Sequence, residues 1–122
     1  MKIRLTEIAR VSNDIFERLK DEGYDEIEIS HDFYWDIPKD ELYQPYNEPA
    51  PENFTLGLIS DDLIELGRIA NHSRDLIPYH LVWLAAVLRA IGHEAYSAGT
   101  ATRVTSERDI SALDETAPPL VQ

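Results

Sequence analysis

A strict alternation of apolar and polar residues between positions 26 and 37 is the clearest pattern in the chain. The odd positions are Ile27, Ile29, His31, Phe33, Trp35 and Ile37, and the even positions are Glu26, Glu28, Ser30, Asp32, Tyr34 and Asp36. Alternation with a period of two is typical of a half-buried strand. The pattern predicts one long strand whose odd positions, Phe33 and Trp35 among them, face the core. A turn at residues 30–32, which would make a hairpin of two short strands, is the alternative.

Two amphipathic helices are predicted from apolar residues at helical spacing. The first runs from about Thr6 to Glu22 and is followed by Gly23, a residue suited to a C-terminal cap. A shorter helix that opens at residues 12–13 is the alternative. The second helix begins after Ser60, which is predicted to be its N-cap, and ends near Asn71.

A third helix is predicted from Pro78, which suits the first position of a helix. Nearly every residue from Tyr79 to Ile91 is apolar, and Gly92 is the expected end. A helix that is apolar on all sides is usually buried. We therefore expect this helix to be the centre of the fold.

The remaining segments complete an α+β prediction, in which about three main helices pack around the central apolar helix, with a small two- or three-stranded sheet on one side. A second strand is predicted at residues 54–59, and a long loop is predicted for the proline-rich residues 38–53. Residues 1–96 are expected to form a single compact domain. Residues 97–122 read as a polar C-terminal extension, with a short helix across 106–113 and then a tail.

The negative charge is concentrated in one part of the chain. Between Asp21 and Glu52 there are eleven acids and one base, Lys39, which gives a local charge of −10 out of a net −12. A concentrated field of one sign selects an oppositely charged partner. Nucleic acid and anionic membranes both require a basic face, so neither is an expected partner. A basic protein is the expected partner, and the oligomeric state is not indicated.

Several classes of site are disfavoured by what the sequence lacks. There is no cysteine, and the sequence contains no Gly-x-Ser-x-Gly, no phosphate-binding glycine loop and no His-Glu-x-x-His motif. We therefore predict no catalytic residue, no metal and no cofactor. The N-terminus lacks the apolar core of a signal peptide, and no apolar run is long enough to span a bilayer. These features favour a soluble cytoplasmic protein.

Two sets of residues are candidates for function. The first set lies on the acidic strand and in the loop and would contact a partner: Glu26, Glu28, Asp32, Tyr34, Asp36, Tyr43 and Tyr46. Its carboxylates could instead bind a cation or form an acid–base pair, or simply be a solvated strand face. The second set could line a pocket at the start of the apolar helix: Tyr79, His80 and Trp83.

These two sets correspond to two hypotheses of different classes. The first is a non-enzymatic interaction module that binds a basic partner, for example an immunity-type inhibitor of a cationic toxin. The second is a small enzyme or small-molecule-binding domain with a pocket near His80 and Trp83. Because the sequence has no nucleophile, metal or phosphate motif, it favours the first hypothesis.

Overall fold

A computed structural model describes the backbone of residues 1–110 and the side chains of residues 1–98. The chain forms four helices and a small two-stranded antiparallel sheet, so the α+β prediction is confirmed. In chain order the elements are α1 (Leu5–Asp21), β1 (Phe33–Asp36), α2 (Lys39–Leu42), β2 (Thr55–Leu58), α3 (Ile59–Ala70) and α4 (His80–Ile110). Within the described residues, no helix is long and apolar enough to cross a bilayer.

The backbone contacts divide the chain into two compact units. Unit 1 comprises Met1–Glu28 and the described residues from Ala95 onward, and unit 2 comprises Ile29–Glu94. Unit 2 contains both strands, α2, α3 and the first part of α4. The acidic segment is therefore shared, with five of its eleven acids in unit 1 and six in unit 2.

In unit 1, α1 agrees with its prediction and ends in the expected glycine cap. Gly23 has a φ of 100°, and the Tyr24 N–H donates to the Leu19 carbonyl oxygen at 3.0 Å. This is the Schellman arrangement, in which a left-handed residue turns the chain back over the last helical carbonyls. The Tyr24 hydroxyl then donates to the Ala95 carbonyl oxygen in α4, at 3.3 Å.

The long strand predicted over residues 26–37 is wrong, because only Phe33–Asp36 form a strand. β1 pairs with β2 in antiparallel register, with Tyr34 opposite Gly57 and Trp35 opposite Leu56. Residues 26–32 lie outside any strand. Ladder pairing needs a partner strand, and β2 extends over only four residues, so alternation alone could not lengthen the sheet.

The predicted orientation of β1 is also wrong. Phe33 and Trp35 are 53% and 66% exposed, whereas Tyr34 and Asp36 are half-buried. Alternation shows which residues share a face of a strand but not which face the rest of the fold covers. Here α3 follows β2 directly, and its buried Asp62 receives a hydrogen bond from Tyr34. The Tyr34 face is therefore the inner one.

The start of α3 uses a different cap from the one predicted. The helix begins at Ile59, so Ser60 is already inside it, and Leu58 at the N-cap makes no side-chain cap bond. Asp32 supplies the acceptors instead: its carboxylate accepts from the Ser60 N–H and from the Ser60 hydroxyl, both at 2.7 Å. These bonds lower the pKa of Asp32. An acid beside β1 thus caps a helix distant in sequence.

The expectation of a buried central helix is wrong. α4 begins at His80, after a turn containing Pro78, and continues through Gly92 to Ile110. Val87 is buried, but Leu81 is 65% exposed and Trp83 is half-buried. The helix is apolar all round, but neighbouring elements cover only part of it. Residues 106–110 of the predicted short helix belong to α4, and its residues 111–113 lie with the predicted tail outside the described residues.

The proline-rich segment contains one turn of helix, α2, and an internal anchor. The Glu41 carboxylate accepts hydrogen bonds from the Glu52 N–H at 2.9 Å and from the N–H and side-chain amide of Asn53. These bonds lower the pKa of Glu41, with the Asn53 amide as the largest cause. The segment therefore closes on itself where the chain enters β2.

Candidate functional site

The exposed face of the β1–β2 sheet is entirely apolar. Residues that lie opposite each other in an antiparallel pair share a face, so Trp35 and Leu56 project to the same side. Phe33 lies on that side too, and Phe54 precedes β2 in the same phase. We define the outer face as the four most exposed of these residues, which are Phe33 (53%), Trp35 (66%), Phe54 (52%) and Leu56 (59%).

Two aromatic rings of the outer face contact each other. Trp35 and Phe54 meet edge to face, with ring centroids 6.4 Å apart. This ring geometry adds a modest attraction to the free energy gained by burying the apolar surface of the two rings. It brings residues from the two ends of the proline-rich segment together on one surface.

The inner side of the sheet explains why these residues project outward. The Tyr34 ring lies across Gly57, where a β-carbon would overlap the ring, and its hydroxyl donates to Asp62 at 2.7 Å. Asp62 is only 6% exposed. Burial raises the pKa of Tyr34, and the Asp62 carboxylate raises it further. Tyr34 therefore occupies the inner side, and the aromatic side chains on either side of it face solvent.

Carboxylates surround this contact without a cationic partner. Burial raises the pKa of Asp62, the Tyr34 hydrogen bond opposes that shift, and the charges of Asp61, Asp36 and Asp32 add to it. None of these four acids forms an ion pair with a Lys, Arg or His of the described residues. Within the described residues, no group of three or more His, Cys, Asp or Glu is placed to hold a metal ion. Within the described residues, this local negative charge is therefore not offset by an ion pair.

The connection between the two strands adds exposed aromatic and acidic groups. Tyr43 and Tyr46 are 77% and 102% exposed. The connection also carries Asp40, Glu48 and Glu52, all exposed, against the single base Lys39. We call β1, this connection and β2 together the β1–β2 hairpin (residues 33–58).

Two of the predicted contact residues do not belong to the β1–β2 hairpin. Glu26 and Glu28 are exposed, belong to unit 1 and are not in a strand. With Ile27 they line an open depression. Asp32 and Asp36 are in unit 2, so the four acids do not share one strand face as the alternation predicted.

The three residues predicted to line a pocket come together at the start of α4. The Trp83 ring contacts Tyr79 and His80 edge to face, with centroids 5.4 and 5.2 Å away. His80 is 4% exposed, and its Nδ1 accepts from the Ile77 N–H at 3.0 Å, as in a capping box. Nδ1 also lies 3.0 Å from the Ile77 carbonyl oxygen. Nε2 makes no hydrogen bond within the described residues.

The nearest charged group to His80 is Glu65 of α3, whose Oε2 lies 3.6 Å from Nε2. The same carboxylate pairs with Arg68 at 2.7 Å and with Arg74 at 3.3 Å. Glu65 therefore connects α3, the following loop and α4. This arrangement holds the three segments together, and it shields His80 from solvent.

The outer face was missed in the sequence analysis, although the signal was present. The alternation grouped Phe33 with Trp35 correctly, but it also predicted that both face the core, because they are in phase with Ile27, Ile29 and Ile37. Gly57 in the middle of β2 was the informative residue. A glycine inside a strand indicates close approach of another group, and here that group is the Tyr34 ring.

The chain matches no family model, and no match was found among curated proteins or among solved structures. The function is therefore argued from the geometry of the site.

Proposed function

We propose that this protein is a non-enzymatic interaction module that binds a basic protein through the β1–β2 hairpin. The observation that carries the proposal is the outer face, where four large apolar side chains are each more than half exposed. Exposed apolar patches rimmed by polar residues are typical of interaction sites. An inhibitor of the immunity type, which covers a cationic protein surface, is one form that this function takes.

The composition of the outer face supports a protein partner. Three of its four residues are aromatic, and two exposed tyrosines lie in the adjoining connection. Aromatic residues are enriched at the centres of protein interfaces, where a few of them contribute most of the binding energy. Trp35, the most exposed of the four, is the expected anchor.

The charge around the outer face supports a basic partner. The hairpin carries five acids and one base, and Asp61 and Asp62 in the first turn of α3 add to the same field. An acidic rim around an apolar centre accelerates encounter with a positive surface and disfavours an acidic one. The same field disfavours nucleic acid, because neutralised phosphates need Lys and Arg on the protein.

A second candidate function is a small-molecule site at Tyr79, His80 and Trp83. The observation that favours it is the buried Nε2 of His80, which has no hydrogen-bond partner in the described residues. A buried polar atom without a partner is costly and is sometimes completed by a ligand. Because His80 is only 4% exposed, such a ligand would require α4 or the preceding turn to move.

The proposal is tested with a photo-crosslinking amino acid at position 35. The matched control is position 81, since Leu81 is exposed to the same degree (65% against 66%) but lies on α4. We expect a specific adduct from position 35 in the source cells, formed with a protein of basic isoelectric point, and none from position 81.

The captured partner is then purified and its affinity is measured. Trp35→Ala should weaken binding about thirty-fold, the loss typical of an interface anchor. Leu81→Ala should leave the affinity unchanged. Adducts of equal yield at both positions, an acidic partner, or equal affinities for the two variants would each overturn the proposal.

A further inference from the structure

We infer that the partner contributes a strand with alternating basic and apolar residues, which pairs with the free edge of β1 and adds a third strand to the sheet, with its apolar side chains on the side of the outer face. This inference rests on the proposed function and specifies how the hairpin engages its partner. A two-stranded sheet is marginal by itself, and a third strand is a common way to complete one.

The register identifies which backbone groups of β1 are free. The Ile59 N–H donates to the Asp32 carbonyl oxygen at 2.7 Å, so these two residues form a hydrogen-bonded pair. In an antiparallel ladder, hydrogen-bonded pairs of residues alternate with pairs that are not hydrogen-bonded. The backbone groups of Tyr34 and Asp36 therefore also bond to β2. The N–H and C=O groups of Phe33 and Trp35 therefore point away from β2, to an edge that no other strand of the described residues covers.

A second copy of this chain is a poor occupant of that edge. If two β1 strands paired through both free residues, Phe33 of each copy would lie opposite Trp35 of the other. That register places Asp32 of each copy opposite Asp36 of the other. Like charges directly opposite each other are destabilising. Asp32 and Asp36 also both raise the pKa of the nearby Asp62. The charge pattern therefore favours a basic strand from another protein.

The β2 edge is the alternative, and it is less suited to a basic strand. Its free residues are Leu56 and Leu58, and residues 53–60 contain no acid. Leu58 also directly precedes α3, so the edge ends at a helix. β1, in contrast, is flanked by Asp32 and ends in Asp36. A strand on β1 would place its apolar side chains beside Phe33 and Trp35 and its Lys or Arg residues beside Tyr34 and Asp36.

The test uses three synthetic peptides and the full chain. The first peptide alternates Lys and Val, the second alternates Glu and Val, and the third is an amphipathic Lys–Leu helix with the same charge as the first. Binding is followed by amide hydrogen exchange. We expect the Lys–Val peptide to bind and to slow exchange at Phe33 and Trp35 while Leu56 and Leu58 are unchanged. The Glu–Val peptide should not bind.

A pair of charge variants tests the predicted contact with Asp36. Asp36→Asn should weaken binding of the Lys–Val peptide about two- to five-fold, as expected for the loss of one cross-strand charge pair. Asp25→Asn changes the net charge equally but lies outside the sheet, so it is the control for a general charge effect. Equal losses in both variants would show a general charge effect and would overturn the proposed register.

The outcomes separate the strand inference from the proposed function. Protection at Leu56 and Leu58 instead of Phe33 and Trp35 overturns the choice of edge. Preference for the Lys–Leu helix, without protection of either edge, overturns strand pairing but leaves a basic partner on the outer face. Failure of the Lys–Val peptide to bind overturns the strand inference, and the proposed function then depends on the crosslinking at position 35, which does not require strand pairing.

Discussion

The Tyr34 hydroxyl donates a 2.7 Å hydrogen bond to the Asp62 carboxylate, which joins β1 to the first turn of α3. Asp62 is 6% exposed, and this is its one hydrogen bond from a side chain of the described residues. The contact is possible because Gly57, opposite Tyr34, leaves room for the ring. One buried bond therefore determines which side of the sheet faces inward.

Removal of this bond should destabilise the fold. Tyr34→Phe leaves a buried carboxylate without its donor, which costs about 1–3 kcal/mol in free energy of unfolding. Asp62→Asn should cost less, because it removes the buried charge and keeps an acceptor. Chemical denaturation of the two single variants and the double variant measures the coupling. Additive effects in this cycle would mean that the bond contributes nothing to stability.

The destabilisation caused by Tyr34→Phe should depend on pH in a definite direction. The Tyr34 bond holds the pKa of Asp62 below the value that burial alone would produce, so Tyr34→Phe should raise it further. A group with a raised folded pKa stabilises the fold at low pH and loses that contribution as pH rises through the folded value. The destabilisation by Tyr34→Phe should therefore be largest at neutral pH and smaller near pH 3.8, the ordinary value for Asp.

Two glycines should respond in opposite directions to the same substitution. Gly57→Ala would push its β-carbon into the Tyr34 ring and should destabilise the fold by about 1–3 kcal/mol, the range for overpacking. Gly67 is exposed within α3 and has nothing within 4 Å of the added carbon. Gly67→Ala should stabilise by about 0.5–1 kcal/mol through helix propensity. Thermal unfolding distinguishes these signs, and a neutral Gly57→Ala would refute the packing of Tyr34.

The C-terminal end of α3 offers a stabilising substitution. His72 has a φ of 63°, and the next residue, Ser73, donates its N–H to the Arg68 carbonyl oxygen at 2.9 Å. A left-handed residue at this position is normally glycine. His72→Gly should raise the free energy of unfolding by about 1 kcal/mol, whereas His72→Ala keeps the β-carbon and should not. Urea denaturation of both variants checks this prediction. An equal gain in the free energy of unfolding for both would mean that loss of the imidazole, and not the backbone conformation, causes the effect.

Acid should destabilise the fold through three carboxylates that accept hydrogen bonds. The pKa values of Asp32, Glu41 and Glu94 are lowered mainly by side-chain bonds from Ser60, Asn53 and Ser30 respectively. A lowered folded pKa gives stability that is present above the unfolded value and lost as pH falls through the folded value. Asp32→Asn should flatten the acid limb of a stability–pH curve measured by denaturation. The exposed Asp25→Asn should leave that limb unchanged.

Two charge-reversal pairs locate the acids that steer the partner. Asp40→Lys with Glu48→Lys changes the hairpin, and Glu26→Lys with Glu28→Lys makes the same charge change in unit 1. We expect the hairpin pair to slow association with the captured partner more, and both effects to shrink at high salt because distant charges are screened. Stopped-flow rates at two salt concentrations measure this. A larger effect from Glu26 and Glu28 would place the steering surface in unit 1.

Local features of this fold could be predicted from the sequence because they depend on neighbouring residues. Gly23 at the end of α1 supplies a left-handed residue, and the apolar spacing of α3 indicates its helical face. The alternation across β1 shows that Phe33 and Trp35 share one face of the strand and that Tyr34 and Asp36 share the other. Each of these rests on backbone geometry or side-chain period within one element, so no distant contact is needed.

Tertiary structure alone decided which face of the sheet became the interior. The face of β1 with Phe33 and Trp35 is the more apolar one, so hydrophobicity alone indicated the wrong face. The choice came from contacts between residues far apart in sequence: Gly57 making room for Tyr34, Asp62 accepting its hydrogen bond, and Asp32 capping α3 at Ser60. These contacts bury a carboxylate and leave Trp35 in solvent. The outer face, and with it the candidate site, follows from that long-range pairing rather than from any pattern within one segment.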